Sequence, residues 1–223
     1  MFEHRHPYEP YFPKGLTKLI VGTLPPPRFS LNHLKDKDVH FCYGSRDGLL
    51  WPIIDSIFHL DLIYQSTQEA IDQRKRFLKE KGIGICDIVA TCKRDKVDAS
   101  DLGMKDIVLR DVVGYLMKYK SIETVLFTGG NSRNGPEFLF RRHLKQYGVK
   151  LQSVLGDIPR IHRFELPDGS RMVTTVSLTA PSGSANRAIG AMASYKQRKV
   201  KDPDFSTFEF RKEQYQPVSY THL

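Results

Sequence analysis

The sequence has few cysteines and no long apolar run, and both absences restrict the class of protein. Its three cysteines, Cys42, Cys86 and Cys92, are too few for a disulfide framework and form no Cys-x-x-Cys pair or Cys/His cluster at zinc spacing. A four-thiolate iron–sulfur cluster is excluded for the same reason. No stretch approaches the roughly 18 apolar residues of a membrane span, and charge and proline interrupt residues 1–15, where a signal peptide would be apolar. We therefore expect a cytoplasmic protein that uses no metal or cofactor and no membrane.

Acidic residues are the minority among the charged ones. Asp and Glu number 25 against 34 Lys and Arg, which gives a net charge of +9 and favours polyanionic partners such as nucleic acid. A basic surplus can also serve solubility alone. The content of hydrophobic residues (40%) and charged residues (26%) is typical of a globular protein, so the 223 residues are expected to fold.

Predicted strands and helices alternate along the chain. The predicted strands cover 16–24, 83–89 and 124–128, with a hairpin of 161–166 and 171–178 around Pro167-Asp168-Gly169. The predicted helices cover 49–58, 66–82, 104–119, 136–147 and 184–197, the second opening on the capping-box spacing of Ser66 and Glu69. This alternation predicts an α/β fold, a three-layer α/β/α sandwich with a central, mostly parallel sheet, in a single domain over 1–223. Residues 1–15 are expected to be an extended arm and 199–223 a surface tail.

Four short segments follow predicted strands and would meet at the edge of the sheet where open α/β folds bind ligands. They are Gly22-Thr23-Leu24-Pro25, Cys86-Asp87, Thr128-Gly129-Gly130-Asn131 and Thr179-Ala180-Pro181-Ser182. Each alone is weak evidence, because glycine after a strand is common in ordinary turns. Together with the aromatic-rich segment 41–51, their order along the chain indicates one site.

These segments, in this order, resemble the uracil-DNA glycosylase superfamily, nearest to its hypoxanthine-DNA glycosylase and mismatch-specific uracil glycosylase branches. The first loop of those branches reads Gly-x-Asn-Pro or Gly-Ser-Phe-Pro, where this chain has 22–25. The segment from Tyr43 to Trp51 keeps the aromatic ends of the second motif but departs from it at Arg46, Gly48 and Leu50. The strand 84–89 and the loop 181–186 resemble the family's base-reading strand and its Pro-Ser-containing final loop.

The resemblance implies a monofunctional DNA glycosylase. Such an enzyme flips a deaminated base, uracil or hypoxanthine, out of DNA, hydrolyses its N-glycosidic bond and leaves an abasic site. It implies a DNA partner carrying the damaged base, DNA repair by base excision, and action as a monomer. No lysine lies in a matched motif, which argues against a Schiff-base lyase step.

Two residues are expected to contact the extruded base, one by stacking and one by hydrogen bonding. By resemblance, Tyr43 stacks on the extruded base, with Gly22, Thr23 and Leu24 forming the adjoining loop. Asp87 occupies the base-recognising position, and an ionised carboxylate offers only acceptors, which suits the ring N–H of a deaminated base. The structural alternatives are a core tyrosine and an aspartate that caps its own loop.

The water-activating group is the main departure from the family pattern. Hydrolytic members carry Asp or Asn where this chain has Leu24, and a leucine cannot position or deprotonate water. Some relatives use an asparagine after the third strand, which makes Asn131 the candidate catalytic residue, with Asn134 as an alternative. Both also suit ordinary turns.

DNA-backbone contacts are expected from the final loop and from two basic clusters. Ser182, Ser184, Asn186 and Arg187 surround a predicted helix start that could bind phosphate, although an ordinary serine N-cap explains the serines equally well. The clusters are Lys93, Arg94 and Lys96, and Lys196, Arg198, Lys199 and Lys201. Such contacts give affinity without sequence preference, and a solvated basic face is their alternative.

Two other functions remain open from the sequence. One is a nucleic-acid-binding protein on the same fold that has lost hydrolysis, as Leu24 would suggest. The other is an α/β enzyme handling a small phosphorylated nucleotide, although Walker and Gly-x-Gly-x-x-Gly spacings are absent.

Overall fold

The computed structural model describes residues 1–220, with side chains described to Gln216. In chain order the strands are β1 (Phe2–Arg5), β2 (Lys18–Gly22), β3 (Ile83–Asp87), β4 (Val89–Arg94), β5 (Lys105–Leu109), β6 (Thr124–Phe127), β7 (Gln152–Leu155), β8 (Arg160–Glu165) and β9 (Met172–Ser177). The helices are α1 (Pro27–Ser30), α2 (Leu50–Phe58), α3 (Gln68–Glu80), α4 (Val112–Lys118), α5 (Pro136–Leu144), α6 (Asn186–Ala191), α7 (Ala193–Lys201) and α8 (Thr207–Tyr220).

The main sheet has six strands in the order β3-β2-β6-β9-β8-β7. Its first four strands are parallel, and β8 runs antiparallel to both β7 and β9. The α/β class with a mostly parallel sheet is therefore confirmed, as is the hairpin of β8 and β9. All five residues of β2 are buried, as expected for a parallel strand covered on both faces.

Alternate side chains of the central strands enter two apolar clusters. In β2, Leu19 and Val21 join a cluster that includes residues of α4 and α5, whereas Ile20 joins one built with α2, α3 and α8. The strand period of two residues sends neighbouring side chains to opposite faces, which explains this division. Helices α2 and α5 begin close to their predicted starts, and α3 begins one residue late because Thr67, not Ser66, is its N-cap.

A second sheet has the antiparallel order β1-β4-β5 and corrects two sequence predictions. The predicted strand 83–89 is two strands, because β3 ends at Asp87 and the chain continues as β4 into this second sheet. The predicted helix 104–119 is β5 followed by α4, whose N-cap Asp111 accepts a hydrogen bond from the Gly114 amide. Pairing of β5 with β4 over-rides the local helical pattern.

The N-terminal arm is extended and joins both sheets. Residues Phe2–Arg5 form β1 beside β4, and Tyr11 exchanges two backbone hydrogen bonds with Ile85 at the outer edge of β3. The arm therefore covers an otherwise open sheet edge and passes close to the carboxyl end of β3.

The C-terminal region differs most from expectation. The predicted helix 184–197 is interrupted at Met192, whose backbone is extended, and becomes α6 and α7. The predicted surface tail contains α8, and its Tyr215 is buried in the cluster shared with α2. The apolar face of α2 needs a cover, and α8 supplies it, which local periodicity did not reveal. Residues 221–223 of that tail lie outside the described residues.

None of the helices in residues 1–220 combines the length and the apolarity that crossing a lipid bilayer requires.

Candidate functional site

Gly22 and Asp87 are direct neighbours at the carboxyl ends of two parallel strands. They are register partners, Gly22 ending β2 and Asp87 ending β3. A Cβ on Gly22 would overlap Asp87 Oδ1 and the Tyr43 hydroxyl, and would lie 2.8 Å from Tyr43 Cζ. Only glycine leaves room for these two side chains at the edge of the sheet.

The N-terminal arm fixes the Asp87 carboxylate. His6 Nε2 lies 2.8 Å from Asp87 Oδ2, and both side chains are buried, with 2% and 6% of their surface exposed. The Tyr8 amide donates to His6 Nδ1 at 3.0 Å, which makes Nδ1 an acceptor and leaves the ring proton on Nε2 to be donated to Asp87. One carboxylate oxygen is thus satisfied within the protein, and Oδ1 faces the space over Gly22.

Tyr43 stands over Gly22 in a constrained turn. Its hydroxyl shares a hydrogen bond of 2.9 Å with Thr128 Oγ1 at the end of β6. Burial, with the nearby Asp87 charge adding to it, raises the pKa of the Tyr43 hydroxyl well above its ordinary value, so the group stays protonated. Its φ of 57° is unusual for a residue with a side chain and indicates that the surroundings impose this conformation.

The buried carboxylate of Asp38 shapes the segment that carries Tyr43. Asp38 accepts hydrogen bonds from the Arg28 guanidinium at 2.8 and 2.9 Å and from the backbone amides of Lys35 and Arg46. The Trp51 indole donates to the Cys42 carbonyl at 2.8 Å. These contacts hold the backbone of the aromatic segment against the sheet and so fix the point from which the Tyr43 side chain extends.

A second carboxylate, Asp101, reaches the same edge of the sheet. The Thr23 hydroxyl donates to Asp101 Oδ2 at 3.2 Å. Burial raises the pKa of Asp101 to about 6, and the Asp87 charge adds to that rise. The Thr23 hydrogen bond and the Arg94 charge act in the opposite direction. Two carboxylates with different surroundings therefore lie near the Gly22 loop.

A single pocket was expected to be lined by five side chains, which the structure does not all bring together: Leu24, Tyr43, Asp87, Asn131 and Ser182. Leu24 packs partly buried against the apolar cluster on one face of the sheet. Asn131 is exposed, and in the described part of the chain no hydrogen bond joins its side chain to Asp87 or Tyr43. Asn134 is buried and donates from Nδ2 to the Asp101 and Met104 carbonyls at 2.9 and 3.4 Å, which gives it a structural task.

The cavity beside Thr128 is too small for a nucleobase. It has a volume of about 20 Å³ and is lined by apolar side chains of the sheet, α2, α3 and α8, together with Thr128. That volume holds about one water molecule. The space directly over Gly22 is occupied by the Tyr43 hydroxyl and the Asp87 carboxylate, so the expected base-sized hollow is not open there in this arrangement.

Helix α8 holds the final loop in place. Arg211 is fully buried and donates to the Ala180 carbonyl at 2.9 Å, the Ser182 carbonyl at 2.6 Å and Asn186 Oδ1 at 2.9 Å. The Leu49 amide in turn donates to the Pro181 carbonyl at 2.8 Å, which joins the final loop to the segment before α2. Ser182 and Ser184 share a hydrogen bond of 2.8 Å, and the Ser184 amide donates to Ser182 Oγ, the N-cap contact that the structural alternative foresaw.

The expected DNA-contacting residues divide into exposed and occupied ones. Arg187, Lys96 and the basic residues of α7 are exposed, but Arg198 is paired with Glu213 and Lys199 donates to the Pro203 carbonyl. Lys93 is half exposed and paired with Asp106 at 2.9 Å. Arg94 corrects the expectation, because its side chain is 1% exposed and donates to His4 Nδ1 at 2.9 Å and to the Ser100 carbonyl at 2.6 Å. Asn186 is exposed, but its side-chain Oδ1 accepts hydrogen bonds from Arg211 and Thr207.

Sequence reasoning missed His6 and Asp101 at this site, and it included Thr128 in a candidate loop without giving its side chain a role. His6, Thr128 and Asp101 approach through contacts that span between 78 and 85 positions of the chain. His6 lies in a proline-rich arm, and Asp101 lies in a stretch with no periodicity or motif. Only Thr128, as the residue that ends a predicted strand, carried a local signal. Within the described residues no group of three or more His, Cys, Asp and Glu side chains could hold a metal ion.

Comparison with known proteins supports the fold and extends no further. No protein-family profile and no curated protein matches the sequence. Among solved structures, the chain is similar to the solution NMR structure of a "putative uracil DNA glycosylase" from Methanosarcina acetivorans, with a TM-score of 0.53 and 15% sequence identity. The similarity covers 95% of this chain and 99% of that chain. At this identity the likeness shows a shared fold.

Proposed function

We propose that this protein is a monofunctional DNA glycosylase that hydrolyses the N-glycosidic bond of a deaminated base, uracil or hypoxanthine, and leaves an abasic site. The observation that carries the proposal is the meeting of Asp87 and Tyr43 over Gly22, at the carboxyl edge of a sheet whose fold is shared with the Methanosarcina protein. A carboxylate and an aromatic ring are the two groups that reading and stacking one extruded base require.

Asp87 supplies the base specificity. With Oδ2 occupied by the His6 N–H, Oδ1 is the acceptor available to a ligand. Uracil and hypoxanthine each present a ring N–H on the pairing edge, whereas adenine presents a lone pair there, which a carboxylate repels. A buried acceptor left without its donor is costly, so bases that lack this proton are rejected.

Tyr43 supplies stacking on the base. While the Tyr43 hydroxyl is bonded to Thr128 and lies over Gly22, the pocket is closed. Its ring occupies the space over Gly22 and moves from Thr128 when a base enters. Stacking of a base on an aromatic ring contributes about 1–3 kcal/mol and does not discriminate among bases. Discrimination against adenine and cytosine, which carry no ring N–H on the pairing edge, therefore falls to Asp87.

The DNA backbone is held by the exposed basic residues around the final loop. Arg187 on α6 and the basic residues of α7 follow Ser182 and Ser184 in the chain, next to the loop that Arg211 anchors. Their contacts with phosphates add affinity that falls as salt rises. No lysine lies among the residues that meet over Gly22, in keeping with a hydrolysis that stops at the abasic site.

The test is excision on defined oligonucleotides. Duplex and single-stranded substrates carrying uracil, hypoxanthine or xanthine are incubated with the protein and then cleaved with alkali; we expect scission only after alkali and only with a deaminated base. Asp87→Asn turns one acceptor oxygen into a donor and should lower excision at least about 100-fold with duplex binding nearly intact. Asp157→Asn, at an exposed position, is the matched control.

A binding protein without hydrolysis is the second candidate, favoured by Leu24, which packs on the core and offers no polar atom to a water. Binding of duplex DNA with no scission on any lesion would establish it. Neither binding nor scission would end both candidates.

A further inference from the structure

We propose that Asp101 positions and deprotonates the water that attacks the sugar, the task that Leu24 cannot perform. This inference rests on the proposed glycosylase function. It assigns a catalytic residue that no motif of the sequence marks, and it places the two carboxylates of the site in different roles, Asp87 on the base and Asp101 on the water.

Position is the first support. Asp101 contacts Thr23, which follows Gly22 and precedes Leu24, so its carboxylate lies on the loop where a water-activating side chain is needed. That loop itself lies along the end of β3, because the Ile88 and Val89 amides donate to the Gly22 and Thr23 carbonyls at 2.9 and 3.1 Å. Asp101 thus approaches the Gly22–Asp87 edge from the side of the second sheet.

The segment that carries Asp101 is held by two buried side chains. Asn134, which lies between β6 and α5, donates to the Asp101 carbonyl. Arg94, at the end of β4, donates to the Ser100 carbonyl. Asn134 is 7% exposed and adopts a positive φ of 61°, a conformation that asparagine tolerates better than most residues. A surface loop needs no such fastening, whereas a group that must hold a water in place does.

The surroundings of Asp101 suit a general base. The groups that face it are the Thr23 hydroxyl and Asp87 from the main sheet, and Arg94 and Cys92 from β4, with Asp98 beside Arg94 on the same loop. Burial is the largest influence and raises the pKa of Asp101 to about 6. A base whose pKa lies close to neutral pH is mostly ionised and still accepts a proton readily. Arg94 keeps one buried guanidinium nitrogen without a hydrogen-bond partner among the described residues, so its charge is not fully used elsewhere.

The proposed step balances as a hydrolysis. The water oxygen forms a bond to C1′ of the deoxyribose while the bond from C1′ to the base nitrogen breaks, and the bonding pair leaves on the base. Asp101 accepts one proton of the water and later releases it to solvent, and the departing base takes a proton from solvent. The products are the free base and an abasic sugar with a hydroxyl at C1′.

The experiment is single-turnover excision as a function of pH with three variants. Asp101→Asn should lower the rate at least about 100-fold at neutral pH while duplex affinity stays unchanged. The wild-type rate should fall about tenfold per pH unit below a pKa of about 6, and this acid limb should vanish in Asp101→Asn. Asp157→Asn removes a carboxylate at an exposed position outside this loop and should keep both the rate and the limb.

Thr23→Val separates a catalytic role from a structural one. The Thr23 hydrogen bond lowers the pKa of Asp101, so its loss should move the acid limb to higher pH, which a merely structural residue would not do. Thermal melting of each variant identifies any that fails to fold, and Thr23→Val then carries the test. An active wild type whose Asp101→Asn variant keeps its rate and acid limb overturns the role of Asp101 alone. A wild type that excises no base overturns the proposed function, and this inference with it.

Discussion

At the residue scale, the site depends on one missing side chain. Gly22 ends its strand opposite Asp87, and the absence of a Cβ there lets Asp87 Oδ1 and the Tyr43 hydroxyl share one small volume. Each of those side chains has a hydrogen-bond partner within the protein: His6 for Asp87 and Thr128 for Tyr43. Neither can shift without breaking its hydrogen bond, so entry of a base costs the Tyr43–Thr128 contact while the His6–Asp87 contact keeps Asp87 in place.

Gly22→Ala should therefore lower the rate of excision. The added methyl group would overlap both side chains, and overpacking of this kind costs about 1–3 kcal/mol. We expect at least a tenfold lower excision rate, roughly, with a lower melting temperature and unchanged salt dependence of DNA binding. Gly156→Ala is the control, because a Cβ there meets nothing within 4 Å. Full activity of Gly22→Ala would show that Asp87 and Tyr43 need not be held as they are here.

His6 and Asp87 should behave as a coupled pair. His6→Ala leaves the buried Asp87 Oδ2 without its donor, which costs about 1–3 kcal/mol of unfolding free energy. Combining it with Asp87→Asn should cost less than the two single changes added together, since the second change removes the charge that the first leaves unsatisfied. Urea unfolding of the four proteins measures this coupling. His33→Ala, at an exposed position, should change nothing; additive costs would argue against the pairing.

At the scale of elements, α8 is a brace for the site and not a tail. Its Tyr215 fills the cluster against α2 and donates from its hydroxyl to the Thr179 carbonyl at 2.9 Å. Its Arg211 reaches the loop from Ala180 to Asn186. The final loop thus takes its shape from a helix that follows it by about two dozen residues.

Arg211→Met should loosen that loop. Four acceptors would lose the hydrogen bond that Arg211 donates to them: the carbonyls of Ala180, Ser182 and Thr207 and the side chain of Asn186. We expect a loss of about 3 kcal/mol in stability and faster amide hydrogen exchange across residues 180–186. Lys212→Met, the next position of the same helix, serves as the matched control. Unchanged exchange in the loop would mean that α8 does not determine its conformation.

At the scale of the whole molecule, the basic residues behind the net charge of +9 fall into two groups, buried ones that stabilise the fold and exposed ones that can meet a partner. Arg94, Arg74 and Arg211 are buried and serve the fold, so part of the basic surplus never reaches a partner. The exposed remainder includes Arg187 and Lys196 at α6 and α7, which follow the final loop.

Salt dependence of DNA binding should show which charges meet phosphate. Arg187→Ala and Lys196→Ala should each weaken binding to any sequence and reduce the slope of log affinity against log salt by about one. Lys150→Ala is the control: it precedes β7, whose first residue pairs with Arg163 of β8, opposite Thr174 near the start of β9. That register places Lys150 beyond the amino edge of the sheet, away from the site. An equal loss with Lys150→Ala would mean that binding follows total charge.

The sequence by itself determined the elements whose signal is local. Buried apolar runs predicted β2 and β6, the turn at Asp168 predicted the hairpin of β8 and β9, and Pro136 and Gly148 marked the ends of the segment that contains α5. Strand alternation with helices was enough to predict a mostly parallel sheet, and hence that Gly22 and Asp87 lie at one edge. These features depend on residues that are close together in the chain, so a single sequence is enough to predict them.

Tertiary structure alone decided the contacts that complete the site. The pairing of β4 with β1 and β5 divided one predicted strand in two, brought His6 to Asp87, and carried Asp101 to Thr23. It also buried Arg94, which the sequence presented as a surface cation, and folded a supposed tail into α8. Each of these outcomes depends on apolar burial and hydrogen bonding between segments that are distant in the chain. The periodicity of one segment does not indicate which other segment it will pack against.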